Sequence, residues 1–286
     1  VRRRAFLALA VMSSLGLAAC APAANSAVAL SRRATRRLPR PPGIAQIFPV
    51  HSRSEQAVID HAGRLPVDWG MHLSGIKSAL TVPQMPGGRP RVALTFDACG
   101  GQDGSGYDEA LIRTLTDQHV PATLFLNHRW AEARRPLVAD LATHPAFEIA
   151  NHGWRHAPLS VTGRAAYGIP GLSSVQEAVD EVWRNHELLG ELAGRPPRYF
   201  RAGTAHYDDV GVSIVRALGE TPLGFSVNGD GGATYSARTV AAEVHAAEAG
   251  AVVIAHMNQP GSGTAEGIRR AIGEMRDRGV EFVGVD

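Results

Sequence analysis

Cysteine is nearly absent: Cys20 and Cys99 are the only two in 286 residues. No CxxC pair occurs, which excludes on spacing a zinc site built from cysteine pairs, and a lipidated Cys20 would leave Cys99 unpaired and no disulfide possible. Neither sign of charge is in excess, with 29 Lys+Arg against 27 Asp+Glu. Much of the basic excess sits in VRRRAF and SRRATRRLPR, so the rest of the chain is slightly acidic and nucleic acid is excluded as a partner on charge grounds. A long apolar run is also missing. The apolar stretch near the N-terminus is short and broken by Ser13, Ser14 and Gly16, too interrupted for a typical spanning helix.

What stands there instead reads as a leader. VRRRAFLALAVMSSLGLAAC has a basic start, an apolar middle and small residues before Cys20, the layout of a secretory signal. Leu17-Ala18-Ala19-Cys20 resembles a bacterial lipobox, and Arg3-Arg4 a twin-arginine signal. Residues 1–20 therefore read as a lipoprotein-type signal peptide, with a lipidated Cys20 as the link to a membrane. The expected location is the cell envelope, or outside the cell if the lipobox is unused. Residues 21–43, rich in Ala, Arg and Pro, read as a flexible tether, and 44–88 as an N-terminal extension packed on the main domain of 89–286.

From Arg91 onward short apolar runs alternate with amphipathic segments of helical length. The runs are RVALTFD, ATLFLN, FEIAN, RYFRAG, LGFSVN, AVVIAHM and VEFVGV. Six helical segments lie between them; in SVQEAVDEVWRNHELLGELAG, Val175, Val179, Val182 and Leu189 repeat at helical spacing. Gly194, Gly250 and Gly279 are expected to stop helices. The alternation predicts an α/β fold with a parallel sheet whose strands are covered on both faces.

The polar residues fall at the strand ends. Asp97 ends the first strand, Asn151 and His152 the third, Arg201 the fourth and His256 the sixth, while Asn228 and Asp230 follow the fifth. In a closed parallel barrel those ends converge on one rim, whereas an open sheet would hold some of them far apart. Convergence favours the barrel. His152 and His156 stand four apart, so a helical turn would point both imidazoles at one divalent cation. Asp97 suits a base, a ligand or a loop cap; Arg201 suits the partner of a carboxylate; His256 has the intrinsic pKa of a proton donor near neutrality. The rim histidines His128 and His206 read as surface residues.

In this order, TFDA, NHGWRH, FRAGTAHY, FSVNGDGG and VIAH resemble the five motifs of the NodB-type polysaccharide deacetylases, carbohydrate esterase family 4, over residue 90 to the C-terminus. The resemblance implies a distorted (β/α)7 barrel and metal-dependent removal of acetyl groups from an N-acetylated envelope glycan, peptidoglycan- or chitin-like. It also implies roles: Asp97 as base, His152 and His156 as metal ligands, Arg201 as tether of Asp97, Asp230 (or Asn228) as support for Arg201, and His256 as acid. The backbone N–H near Thr204 would help stabilise the oxyanion. No protein partner is implied.

Two departures stand out. Ala98 occupies the place of the family's second Asp, a metal ligand, and Ala202-Gly203-Thr204 replaces its Pro-Pro-Tyr. The missing ligand is expected to be Asp103, in GGQDGSG, or Asp97 itself; Cys99 reads first as a small buried hydrophobe, with a soft metal contact as the alternative. Imidazole and carboxylate ligands suit Zn²⁺, and Co²⁺, Ni²⁺ or Fe²⁺ also fit. An O-acetyl polysaccharide esterase, or an inactive glycan-binding lipoprotein on the same barrel, would share these features.

Overall fold

The computed structural model describes residues 51–81, 88–102 and 104–286. The expected signal peptide and tether of residues 1–43, Cys20 among them, and Asp103 lie outside the described residues. In chain order the described elements are α1 (Arg53–His61), β1 (Trp69–Gly70), β2 (Arg91–Ala98), α2 (Glu109–Asp117), β3 (Ala122–Leu126), α3 (His128–Glu132), α4 (Arg135–Thr143) and β4 (Phe147–Asn151). There follow α5 (Val175–Ala193), β5 (Tyr199–Phe200), β6 (Tyr207–Asp208), α6 (Asp209–Ala217), β7 (Thr221–Pro222) and β8 (Val227–Asn228). The last four are α7 (Ala237–His245), β9 (Val252–His256), α8 (Thr264–Asp277) and β10 (Glu281–Val283).

The main sheet runs β7-β5-β4-β3-β2-β9-β8, all parallel, with β10 paired to the start of β2. Its two edges, β7 and β8, belong to one continuous segment, 221–228. That segment bonds to β5 through Leu223 N–H and Phe200 O and to β9 through Ser226 N–H and Val252 O. The sheet therefore curls into a distorted barrel of the NodB type. Where the sequence pattern gives one strand over LGFSVN, the structure has two short strands in 221–228, split so that each half serves a different neighbour.

Side-chain alternation sorts β2 into two layers. Val92, Leu94, Phe96 and Ala98 join Leu111, Trp130 and the other residues of a core between sheet and helices. Ala93 joins Phe125, Ala150 and Val252 in a separate core inside the barrel. Thr95 and Asp97 share the inward parity. The helices are stopped by more than glycine. Gly194 caps α5 in the left-handed region, but α7 ends at His245, well short of Gly250, which sits in the turn before β9. Residues 51–81 pack on the barrel: β1 pairs with β6, Ala57 enters a core with Val179 and Val182, and His61 meets Ser213 Oγ at 2.9 Å.

Candidate active site

Asp97 stands near the carboxyl end of β2, two residues after Thr95 on the same inward side, and its carboxylate is the one charged group that the buried part of the strand carries. Its Oδ1 accepts a 2.6 Å hydrogen bond from Arg201 Nη1. Arg201 is wholly buried, and three of its other N–H groups donate to Thr95 Oγ1 (2.9 Å), Gly224 O (3.0 Å) and Leu223 O (3.3 Å). Its guanidinium carbon lies 4.2 Å from the Phe125 ring centroid. Four of its five N–H groups are bonded and Phe125 covers one face, so its one ionic partner is held in a fixed orientation.

His152 follows β4. Its Nδ1 donates to the Arg201 carbonyl at 2.9 Å, which leaves Nε2 as the free lone pair, 3.5 Å from Asp97 Oδ2 and 3.7 Å from Cys99 Sγ. His156 reaches the same spot without a helical turn, contrary to the spacing argument. Gly153 (φ 76°) and His156 (φ 64°) are both left-handed, and the loop between them folds the two imidazoles to 4.8 Å between centroids at 82°. Glu181, a buried carboxylate on α5, holds this loop by accepting the backbone N–H groups of Arg155 (2.8 Å), His156 (2.9 Å) and Ala157 (3.3 Å). Gly203 presses against it so closely that a Cβ there would sit 2.3 Å from the His156 carbonyl carbon.

His256 ends β9, in register with Asp97 on β2. Asp230 supports His256 and not Arg201, a correction to the role taken from the motif order. Its Oδ1 accepts from His256 Nδ1 at 2.9 Å, and its Oδ2 accepts from the His256 N–H (2.7 Å) and Thr264 Oγ1 (2.9 Å). Asp97 and His256 both line a cavity of about 470 Å³ that Thr204, Tyr167, Phe225 and Tyr235 also border. Neither the N–H nor the buried hydroxyl of Thr204 has a partner among the described residues. Asn228 lines the same cavity and is exposed.

Residues 84–223 match the family model described as polysaccharide deacetylase. These residues, just under half of the chain, are similar to the polysaccharide deacetylase family. No curated protein matches it. Among solved structures it is similar to the Bc1960 peptidoglycan N-acetylglucosamine deacetylase, at 21% identity and TM-score 0.60 over 74% of this chain and 91% of that one. Bacillus subtilis PdaA, a family 4 carbohydrate esterase, gives 17% and 0.58 over 82% and 88%. BA3943 from Bacillus anthracis, a family 4 pseudoenzyme, gives 21% and 0.57 over 73% and 67%. At these identities the likeness is one of fold.

The residue at the place of the missing second Asp follows strand parity. Ala98 faces the outer core and is fully buried, while Cys99, two residues beyond Asp97, turns to the histidines. Cys99 is half-buried, not a core hydrophobe, and corrects the first reading of that residue. The donor atoms of Cys99, His152 and His156 lie within 4.8 Å of one another, the one such set among the described residues. His156 Nε2 is buried there without a hydrogen-bond partner.

The electrostatics favour the charged form of each of these groups. Burial works against ionised Asp97, but Arg201, His152 and His256 outweigh it and hold the carboxyl below its ordinary range. Burial likewise opposes a charged His152, yet Asp97 and Cys99 raise its pKa. His256 is raised well above the usual range despite burial, chiefly by its bond to Asp230. His128 and His206 stay outside this cluster. His206 instead packs with Trp69 and Tyr167, at 5.7 and 5.2 Å between ring centroids. Sequence reasoning missed Glu181, whose only signal was an acidic residue on the apolar side of α5.

Proposed function

We propose that the chain is a metal-dependent hydrolase that removes acetyl groups from N-acetylated envelope glycans of the peptidoglycan or chitin type. The observation that carries this reading is a paired base and acid on one cavity: Asp97 locked by Arg201, and His256 locked by Asp230. The fit for a cation is good, since three donors converge and one of them, His156 Nε2, is buried with no partner. His152 and His156 would hold it, Zn²⁺ suiting two imidazoles, with Co²⁺, Ni²⁺ and Fe²⁺ also compatible. When bound, the cation supplies Lewis-acid polarisation and a more acidic water.

The protein's own groups do the rest. Asp97, kept ionised by Arg201, takes the proton of the attacking water as its oxygen bonds to the amide carbonyl carbon. The Thr204 N–H, on the same cavity, is the donor offered to the developing oxyanion. His256 gives its proton to the amide nitrogen, the C–N bond breaks, and acetate and a free amine leave. Tyr167, Phe225 and Tyr235 offer apolar surface to the face of a sugar ring.

Ala98 and the likeness to a pseudoenzyme favour a second reading, an inactive glycan-binding protein. Against it stands the completeness of both proton-transfer pairs. The basic, apolar leader ending at Cys20 supports an envelope location, which palmitate labelling of Cys20 tests. Acetate release from acetylated chito-oligosaccharide, peptidoglycan and O-acetylated xylan, measured side by side, tests the activity. Release from the amides, lost in Asp97→Asn, is expected. Release from the ester alone would make the chain an esterase, and release from none would leave the binding protein.

A further inference from the structure

We infer that Cys99 is the third protein ligand of the cation, in a Cys–His–His set that leaves one coordination position open. This rests on the metal-dependent reading above. The strand geometry supplies the first argument. Positions 97 and 99 share one side of the backbone as β2 leaves the sheet, so the residue facing the histidines is Cys99, while Ala98 is committed to the outer core.

Distance supplies the second. A tetrahedral centre with metal–sulfur and metal–nitrogen bonds of about 2.3 and 2.0–2.1 Å holds its sulfur and nitrogen roughly 3.6 Å apart. Cys99 Sγ and His152 Nε2 are 3.7 Å apart. His152 is set for ligation by its other nitrogen, which donates to the Arg201 carbonyl and directs the Nε2 lone pair into the cluster. His156 Nε2, buried and unpartnered, is the remaining donor. Asp97 is a poorer candidate: Arg201 holds one oxygen at 2.6 Å, and Asp97 is not a member of the set whose donors fall within 4.8 Å. Sulfur in place of a carboxylate makes this a softer site, suited to Zn²⁺, Co²⁺ or Fe²⁺ and unsuited to Mg²⁺, Ca²⁺ or Mn²⁺.

Cobalt titration of the metal-free full-length protein under anaerobic conditions is the test. The wild type is expected to bind one equivalent and to show an intense near-ultraviolet thiolate-to-cobalt band beside the visible bands of four-coordinate Co²⁺. Cys99→Ser should lose that band and bind more than about 100-fold more weakly, beyond what loss of an outer-shell partner costs. Cys99→Asp should keep one equivalent without the band. The wild-type spectrum decides even if a variant fails to fold. One equivalent bound without the band would overturn Cys99 as ligand and leave the metal-dependent reading standing. No cobalt bound, with an acetyl group found on Cys99 by mass spectrometry during turnover, would overturn both and make Cys99 the nucleophile.

Discussion

Asp230 holds His256 by both of its oxygens, Oδ1 to Nδ1 at 2.9 Å and Oδ2 to the backbone N–H at 2.7 Å. The carboxylate thereby fixes the ring, its tautomer and its proton affinity together. Asp230→Asn keeps the shape but removes the charge that raises the His256 pKa. Because an acid must carry its proton to work, the basic limb of the kcat/KM profile is expected to move to lower pH, with kcat down roughly 10²–10⁴-fold. A pH–rate profile of the variant checks it; an unmoved basic limb would separate His256 from the acid role.

Arg201 is the most heavily bonded cation in the fold, with Asp97, Thr95, Leu223 and Gly224 all on one guanidinium. Arg201→Ala strands Asp97 in a dry site and is expected to cost about 3–5 kcal/mol. Arg201→Lys restores the charge without the planar fork, so it should recover part of the stability and little of the activity. Urea melts and acetate release, measured on both variants, distinguish the two effects.

Glu181 reaches the site only through the backbone of 155–157. Glu181→Gln retains one acceptor oxygen where the loop uses two. The loop that carries His156 should loosen, with metal affinity falling about 10–100-fold, as for other groups that orient a ligand. Cobalt or zinc titration reads this directly, and a loss of stability with unchanged affinity would make Glu181 merely structural.

Glu220 lies behind β4, where His186 Nδ1 and Asn151 Nδ2 donate to its Oε1 at 2.7 and 2.8 Å while Oε2 has no partner. Burial outweighs these bonds and raises its pKa from 4.5 to about 7. Unfolding therefore releases a proton between those values, so this group's effect on stability is nil below 4.5 and becomes fully unfavourable above about 7. Stability should fall by on the order of 3 kcal/mol as pH rises through that window. Glu220→Gln should flatten the slope and match or exceed the wild type at pH near 8, as chemical denaturation across pH would show.

The barrel was legible because its strands are apolar on both faces, a pattern that a parallel sheet under helices requires and few other folds tolerate. RVALTFD, ATLFLN and AVVIAHM lie side by side in the sheet as that reading demands. What sequence spacing could not give was local backbone geometry. His156 meets His152 through two left-handed residues, a conformation that glycine at 153 permits but no periodicity announces. The partner of Asp230 was hidden for a different reason: two carboxyl-end residues of neighbouring strands look alike until register sets His256 and not Arg201 beside it. Strand parity alone could have favoured Cys99 over Ala98, had the alternation been carried one residue past the strand end.

Acetate release from acetylated chito-oligosaccharide by the metal-stripped protein, before and after one equivalent of Zn²⁺, tests the central claim most directly. Activity at background in the stripped protein and restored by Zn²⁺ is the expected result. Full release by stripped protein, indifferent to added metal or chelator, would contradict it.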